Sequence, residues 1–541
     1  MSSFFLPFYK RYIAYTLSFI GLAALIASLY YFPDLLPYLA IPCLILITLV
    51  TIGTRDLLQT RHSVLRNYPL IGHIRFLLEE IRPELRQYFF EDDKNGLPYS
   101  RDRRALIYQR AKGDLDKRPF GTQYDTYKPR YEWLNHSLAP QPVSQEPFTT
   151  RIGGPDCKRP YDASILNVSG MSYGALSPNA ILALNRGARH GGFAQNTGEG
   201  GVSPYHLRYG GDLIWQIGTG YFGCRKRDGT FDTEKFKATA TIDQVKLIEI
   251  KLSQGAKPGH GGILPKEKIT KEIAEVRGVQ QDQDCISPPY HSAFSTPIEM
   301  MHFIKQLRSL SGGKPIGFKL CIGHPWEFLS LCKAMIETGI TPDFITIDGA
   351  EGGTGAAPLE FTDHIGTPLR EALAYAHNAL VGAGLRANIK LAASGKIASA
   401  FDIARTMALG ADYCNAARTF MFTIGCIQGQ TCHTGDCPTG ITTQDPARTR
   451  ALVVENKYKR VSKFHATTMQ ALAEVIAAAG LTHPHQIHRQ HLCRRISENK
   501  VATYQDLFPP IEDGALLTGS DDPRFKTAWE QATASSFAPN F

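Results

Sequence analysis

Two long apolar stretches near the start of the chain dominate its hydropathy pattern. Residues 12–32 and 35–54 contain no charged side chain, and only Pro33 and Asp34 separate them. A helix of about 20 apolar residues crosses the hydrocarbon core of a bilayer, which is roughly 30 Å thick. Both stretches reach this length, so they predict a transmembrane helical hairpin. Pro37 and Pro42 leave open whether the second segment spans fully.

Basic residues flank the hairpin on both outer ends. Lys10 and Arg11 precede the first stretch, and Arg55, Arg61 and Arg66 follow the second. Positive flanks favour the cytoplasmic side, so we expect a cell-membrane protein with two membrane helices and the remaining chain in the cytoplasm. A cleaved signal peptide would have a shorter apolar core and a small-residue cleavage site. The alternative is a buried hairpin within a soluble domain.

Residues 55–160 are more polar and less regular. Ile74, Leu77, Leu78 and Ile81 recur at helical spacing and predict one helix. We expect a long irregular segment after it, to about residue 160. The basic side chains here either meet anionic lipid headgroups or form a solvated connecting face.

After Ser164 short apolar runs end in glycine-rich turns and alternate with helical patterns. This alternation is typical of a parallel α/β fold. Over roughly 270 residues it favours a (β/α)8 TIM barrel with insertions, with a doubly wound sheet as the alternative. In such a barrel the functional groups lie on the loops that follow the strands.

Composition and charge narrow the possible classes. Of 541 residues 43% are hydrophobic and 20% charged, which excludes a disordered, collagen-like or disulfide-stapled chain. The net charge of +9 is local, because residues 448–500 contain ten Lys and Arg against three Asp and Glu. We therefore expect no nucleic-acid partner. Eight of the 11 cysteines stand singly and three cluster, which favours a reducing compartment and one metal site.

Three glycine-rich or basic loops follow predicted strands. They are residues 348–355, Ser394-Gly395-Lys396 and residues 415–418, the last ending in Arg418. Glycines let the backbone approach a flat ring or a phosphate, and helix-start amides with a lysine bind phosphate. The last two loops together predict a phosphate site, although each alone is compatible with a structural turn.

The cysteine cluster is the sharpest motif. Cys426, Cys432 and Cys437 are separated by five and four residues. Thiolates this close can ligate one soft metal centre, and three of them suggest a [3Fe–4S] cluster. A fourth ligand from elsewhere, zinc with His433, and three free thiols remain alternatives.

Two further loops carry charged side chains among glycines. Lys251 precedes and Lys257 lies within residues 253–262, and Glu199 lies within residues 196–201. Lysines at such positions can bind a dicarboxylate as point charges. Neither loop identifies a reaction by itself.

In order along the chain, these loops resemble the FMN-binding synthase domain of glutamate synthases. The resemblance covers about residues 160–445. The matching stretches are SGMSYGALS (169–177), NTGEGG (196–201), SQGAKPGHGG (253–262), ISPPYH (286–291), GFKL (317–320), IDGAEGGTGAAP (347–358), SGK (394–396) and CIQGQTCHTGDCPTG (426–440). The resemblance implies a barrel that holds FMN and a [3Fe–4S] cluster. It also implies synthesis of L-glutamate from 2-oxoglutarate and ammonia, in which reduced flavin gives hydride to 2-iminoglutarate.

The resemblance also implies roles for individual residues. Those at the flavin and its phosphate would be Ser169, Gly170, Met171, Ser172, Lys319, Asp348, Gly353, Thr354, Ser394, Gly395, Lys396, Ala417 and Arg418. Those facing substrate would be Glu199, Lys251, Gln254 and Lys257. Cys426, Cys432 and Cys437 would hold the cluster.

The predicted organisation is similar to that of stand-alone, membrane-linked members of this family. We expect a membrane anchor (1–54), a partly helical polar connection (55–160), the barrel (161–445) and a basic, mainly helical extension (446–541). No amidotransferase domain fits before residue 160, so we do not expect glutamine to supply ammonia in cis. An acidic electron donor such as ferredoxin would suit the basic stretch.

Three other functions remain open. In the first, the protein is an enzyme that joins another amine, such as methylamine, to a 2-oxo acid. Alternatively, the chain is a non-catalytic membrane electron-transfer subunit, or a flavin-dependent isomerase that needs no cluster.

Overall fold

A computed structural model describes residues 8–541 of the chain, which fall into two compact units. The first ends at Pro98 and the second runs from Tyr99 to Phe541. The division of the chain into four functional segments stays a prediction.

The first unit begins with the predicted hairpin. Helices Ile13–Tyr31 and Leu36–Leu58 follow the two apolar stretches, and a short 3-10 turn joins them. The Tyr15 and Thr54 hydroxyls hydrogen-bond at 2.9 Å, so the start of one helix lies beside the end of the other. By length and composition both helices could cross a membrane, and their apolar surfaces are almost wholly unburied. The later helices of this unit are Ser63–Asn67, Gly72–Glu80, Arg82–Leu85 and the π-helical turn Arg86–Phe90.

The second unit is built around a closed barrel of eight parallel strands. Each strand pairs with the next along the chain, and the eighth pairs with the first. This order confirms the predicted TIM barrel, because a doubly wound sheet would reverse its strand order and stay open. The strands are β1 (Leu166–Val168), β2 (Gln195–Asn196), β3 (Leu213–Ile217), β4 (Val245–Lys251), β5 (Ile316–Leu320), β6 (Phe344–Asp348), β7 (Lys390–Ser394) and β8 (Tyr413–Ala416).

Helices connect successive strands on the outside of the barrel. Local signals fix their ends; for example, Thr296 and Glu299 form a capping box where one helix begins, and Gly339 ends the next in the left-handed conformation. The connecting helices are Pro178–Gly191, Pro204–Leu207, Thr233–Ala240, Lys271–Arg277, Pro297–Leu310, Pro325–Thr338, Leu359–His364, Leu369–Gly382 and Ala400–Ala408.

The segment before the barrel is more regular than predicted. Helix Arg101–Lys112 lies where we expected irregular chain. The sequence did not indicate this helix because its buried face contains Arg104 and Arg110 as well as Ile107, so the apolar residues do not recur at helical spacing. Arg110 forms an ion pair with Asp116 at 3.0 Å, which makes its burial tolerable. Strands Thr149–Ile152 and Tyr161–Ser164 then pair antiparallel before β1.

After β8 the chain covers one side of the barrel and closes the unit. Helix Val454–Ala478 packs on Pro178–Gly191, where Gly187 leaves room for Val461. Strand Glu132–Leu134 joins a hairpin of the C-terminal region through antiparallel pairing. The remaining elements are helices Arg418–Thr423, Pro446–Thr449, Tyr504–Leu507 and Lys526–Gln531, with strands Ile263–Leu264, Cys285–Ile286, Leu492–Ser497 and Lys500–Thr503.

Candidate functional site

The predicted site residues gather at the carboxyl end of the barrel. Parallel strands end at the same edge, so side chains far apart in sequence meet there. Strand ends and the loops after them supply Ser169, Glu199, Lys251, Lys319, Asp348, Ser394 and Arg418. The other residues predicted to contact flavin or substrate lie in the same loops: Gly170, Met171, Ser172, Gln254, Lys257, Gly353, Thr354, Gly395, Lys396 and Ala417.

Glu199 and Lys251 form a shielded ion pair. Lys251 Nζ lies 3.0 Å from Glu199 Oε2, and the two side chains are 11% and 19% exposed. Burial alone would raise the pKa of Glu199, but Lys251, followed by Arg277 and Lys257, lowers it below its usual value. The carboxylate therefore stays ionised at neutral pH.

Lys257 lies close to this pair but forms no ion pair of its own within residues 8–541. Its side chain is buried, and its backbone N–H donates to the carbonyl oxygen of Gln254 at 3.2 Å. Burial lowers the pKa of Lys257 although Glu199 opposes the change. The ammonium is thus buried without a carboxylate partner among the described residues.

Arg277 is a further cation here that the sequence did not single out. It ends helix Lys271–Arg277 and is only 5% exposed. Its guanidinium donates to the Tyr173 carbonyl oxygen at 3.2 Å and to Ser172 Oγ at 3.4 Å. Its buried Nε has no hydrogen-bond partner in the described part of the chain. The sequence did not indicate a role for Arg277, because a single arginine at the end of an amphipathic helix is a common surface residue.

Lys319 and Asp348 form a second buried pair. Nζ and Oδ2 are 3.3 Å apart, and both side chains are less than a tenth exposed. Burial alone would lower the pKa of Lys319, but Asp348 and then Glu249 raise it above its usual value. Asp348 also accepts the Gly255 N–H at 2.9 Å, which fixes the loop after β4. A side chain at Gly255 would overlap the carbonyl oxygen of Gly349, so glycine is required there.

A buried carboxylate inside the barrel supports the site from below. Glu249 stands two residues before Lys251 on the inward face of β4. It accepts hydrogen bonds from Asn196 Nδ2 at 2.8 Å, Gln216 Nε2 at 2.7 Å and Thr346 Oγ1 at 2.6 Å. The acid within the apolar run VKLIEIK was the only sequence signal for it.

Positive charge also collects where β7 and β8 end. Lys396 has a left-handed backbone (φ +49°), and burial, followed by Arg418, lowers its pKa. Arg418 donates to the Glu351 carbonyl oxygen at 2.7 Å and lies over the Tyr99 ring. Neither cation is in an ion pair with any carboxylate that the structure describes. Arg103, which was not predicted, donates to the Lys396 carbonyl oxygen at 2.8 Å.

The loops after β1 and β2 complete this edge. Ser169 Oγ and Ser394 Oγ are 3.4 Å apart, which brings the predicted flavin loops together. A Cβ at Gly198 would lie 2.6 Å from the Ser172 nitrogen, so the two loops pack backbone to backbone. Gly353 and Thr354 are exposed at the outer edge of the site.

The three clustered cysteines line one small cavity of about 20 Å³. Burial raises the pKa of Cys426 to about 12. Burial also opposes ionisation of Cys437, but hydrogen bonds from Thr439 and Thr442 lower its pKa to about 7. Within residues 8–541 no group of three His, Cys, Asp or Glu side chains is arranged to hold a single metal ion. The three cysteines thus share one cavity, and the [3Fe–4S] cluster stays a prediction.

Known proteins match most of this chain. Residues 158–482 match the family model described as the conserved region in glutamate synthase. The glutamate synthase large subunit-like protein YerD of Bacillus subtilis is 38% identical over 494 residues, covering 84% of this chain and 94% of the relative. The archaeal-type glutamate synthase (NADPH) of Thermotoga neapolitana is 34% identical over 314 residues, and the match spans 58% of each protein.

Among solved structures, a sulfite-bound variant of flavocytochrome b2 has a TM-score of 0.42 and 12% identity, covering 82% of this chain and 90% of that chain. The sequence matches, not this likeness, decide the family. They confirm the predicted family and, with it, the predicted enzyme class of oxidoreductases of glutamate synthase type. The chain belongs to the glutamate synthase family.

Proposed function

We propose that the protein forms L-glutamate from 2-oxoglutarate and ammonia through 2-iminoglutarate, with FMN and a [3Fe–4S] cluster, at a membrane surface. One observation carries the substrate assignment. Glu199, Lys251, Lys257 and Arg277, here called the substrate cluster, combine three cations with one carboxylate at the carboxyl end of the barrel. The excess of two positive charges matches the two carboxylates of 2-oxoglutarate.

Each member of the substrate cluster has a separate task in this proposal. Lys257 and Arg277 lack carboxylate partners in the part of the chain described, so they would take the substrate carboxylates, and the Arg277 fork suits bidentate binding. Glu199 holds Lys251 in place and would accept a hydrogen bond from the amine nitrogen. Gln254, next to them on the β4 loop, would contact the substrate as well.

The residues at the ends of β7 and β8 fit the phosphate of FMN. Lys396 and Arg418 are cations without ion-pair partners among the described residues. Gly395 and Gly353 carry no side chain that would block the approach of a phosphate. Ser169–Ser172 would lie along the flavin ring with Lys319 nearby. When bound, FMN would supply hydride transfer. The Lys319 ammonium, held by Asp348, would stabilise negative charge at the ring.

Cys426, Cys432 and Cys437 would hold the [3Fe–4S] cluster, which would supply one-electron transfer. Their shared cavity supports this assignment. Lys268 adds positive charge there, since its Nζ donates to the Cys432 carbonyl oxygen at 2.6 Å. Lys457 lies against the same loop, because a Cβ at Gly425 would come within 2.9 Å of its Nζ. An acidic donor such as ferredoxin would dock on this basic side.

The helical hairpin would anchor the protein with its barrel in the cytoplasm. The support is the length and apolar surface of both helices and the basic residues at their outer ends. Lipid is therefore the partner of the first unit.

The test uses the full-length protein in detergent, with flavin and iron measured before turnover. Reduced enzyme supplied with 2-oxoglutarate and a panel of amines should form its amino-acid product fastest with ammonia, and that product should be glutamate. Flavin-loaded enzyme that forms no amino acid would refute the proposal, and a preference for methylamine would establish the alternative substrate. Cys432→Ser should lose the iron while Cys493→Ser, outside the cavity, keeps it; equal iron in both variants would remove the cluster assignment.

A further inference from the structure

We propose that residues 71–90 form a second membrane contact, an element that lies in the plane of one leaflet instead of crossing it. The occupant of its exposed apolar face would be lipid at the boundary between headgroups and acyl chains. This inference rests on the proposed anchoring of the hairpin, which brings the segment to the bilayer.

The first observation is a continuous exposed stripe on helix Gly72–Glu80 and its flanks. The apolar stripe consists of Ile71, Ile74, Leu77, Leu78 and Ile81, whose side chains are 39% to 57% exposed. At 3.6 residues per turn these five positions fill an arc of roughly 120°, while His73, Arg75, Glu79 and Glu80 occupy the rest of the surface. A soluble protein rarely leaves such a stripe uncovered.

The second observation is a group of aromatic side chains in the next turn. Tyr88, Phe89 and Phe90 are 53%, 77% and 80% exposed. Aromatic rings concentrate at membrane–water boundaries, where an apolar body and a polar edge both find partners. The stripe and the rings thus favour the same environment.

A hydrogen-bonded junction attaches this element to the end of the hairpin. Asp56, in the last turns of helix Leu36–Leu58, is buried. Its carboxylate accepts the Leu70 N–H at 3.0 Å and contacts His73 Nε2 at 2.9 Å. Helix Gly72–Glu80 therefore starts beside the point where the hairpin leaves its apolar stretch. The stripe cannot lie far from the level of the headgroups.

Electrostatic attraction contributes less to this membrane contact than burial of the apolar stripe does. Residues 55–86 contain six arginines and four acids, a near balance. Electrostatic attraction to anionic lipid is correspondingly weak. A zwitterionic bilayer should be sufficient to hold the element.

The experiment places the full-length protein in nanodiscs of phosphatidylcholine that contain a lipid with a photoactivatable group on its acyl chain. After irradiation, mass spectrometry maps the labelled peptides. We expect labels at residues 71–90 as well as in the hairpin. Replacing a third of the lipid with phosphatidylglycerol should change the labelling of residues 71–90 less than twofold.

A pair of variants tests the stripe itself. Leu77→Asn with Leu78→Asn should lower labelling of residues 71–90 about tenfold while the hairpin label is unchanged. Glu79→Gln with Glu80→Gln, on the polar face, should have no effect. An unlabelled hairpin would refute the anchoring. A labelled hairpin with unlabelled residues 71–90 would overturn this inference alone.

Discussion

Asp348 connects three parts of the candidate site, and Asp348→Asn tests that connection directly. The carboxylate ends β6, pairs with Lys319 and accepts the Gly255 N–H. Asparagine keeps the size and an oxygen for Gly255 but removes the charge. Lys319 would then be a buried cation without its nearest counter-ion.

The size of the effect follows from the separation and burial of the pair. At 3.3 Å and an effective dielectric constant of about 20, two unit charges attract by about 5 kcal/mol. Part of this attraction is offset because the variant no longer buries a carboxylate. We therefore expect the free energy of unfolding to fall by about 3 kcal/mol. A unit of roughly 440 residues unfolds with an entropy of about 0.9 kcal/mol per degree, so the melting temperature should fall by about 3 °C.

A double-mutant cycle isolates the pair from other effects. Asp348→Asn, Lys319→Met and the double variant would be melted in the same detergent, with circular dichroism as the readout. Each single change leaves one buried charge alone, so the double variant should be more stable than the two losses added together predict. The control cycle is Arg151→Met with Asp162→Asn, an exposed pair at 3.2 Å that should show no coupling.

Additive effects would refute this reasoning. If the double variant melts within half a degree of the additive value, the ion pair does not stabilise the site. The orientation of the β4 loop would then rest on the hydrogen bond to Gly255 alone.

Three further predictions concern other residues. Because burial lowers the pKa of Lys257 from 10.5, the KM for 2-oxoglutarate should rise as pH increases toward 10.5, and Lys257→Arg should flatten the rise; a constant wild-type KM from pH 7 to 10 would contradict this. Gly255→Ala should lose bound flavin, since its side chain would overlap Gly349, whereas Gly355→Ala has open space and should retain it; equal retention would contradict the packing argument. Burial alone would raise the pKa of Glu132, but Arg405 and Arg370 lower it. The ionised Glu132 therefore stabilises the folded protein fully above its pKa in the unfolded chain, which is about 4.3. This stabilisation is lost as the pH falls through the lower pKa of Glu132 in the folded protein. The melting temperature of the wild type should thus drop more from pH 5 to pH 3 than that of Glu132→Gln, and parallel curves would exclude this role.

The sequence could reveal residues whose place at the carboxyl end of the barrel follows from their local pattern. The loop lysines and glycines follow apolar runs directly, and a barrel places every such loop at one edge, so Lys251, Lys257 and Lys396 could be predicted together. Gly198 illustrates the same logic, because two loops can meet there only without a side chain. These signals lie within short sequence segments, and the barrel brings the segments together at one edge.

Residues whose role depends on distant partners had no such signal. Arg103 meets Lys396 across 293 positions, and Arg277 meets Ser172 across 105. Helix Arg101–Lys112 was missed for a related reason, since its buried arginines are matched by groups elsewhere in the chain. A hydropathy pattern records burial of apolar groups but not the compensation of buried charge.

The distribution of hydrogen bonds explains how the site keeps cations available despite nearby acids. Glu249 accepts hydrogen bonds from three neutral donors, the side chains of Asn196, Gln216 and Thr346. Because these donors satisfy its oxygens, Glu249 does not have to draw Lys251 or Lys257 into the barrel. Asp348 likewise divides its contacts between Lys319 and a backbone amide. Neutral donors thus stabilise Glu249 inside the barrel, while Asp348 and Glu199 pair with Lys319 and Lys251. Lys257, Arg277, Lys396 and Arg418 keep no carboxylate partner among the described residues, and an anionic substrate and a phosphate would arrive there.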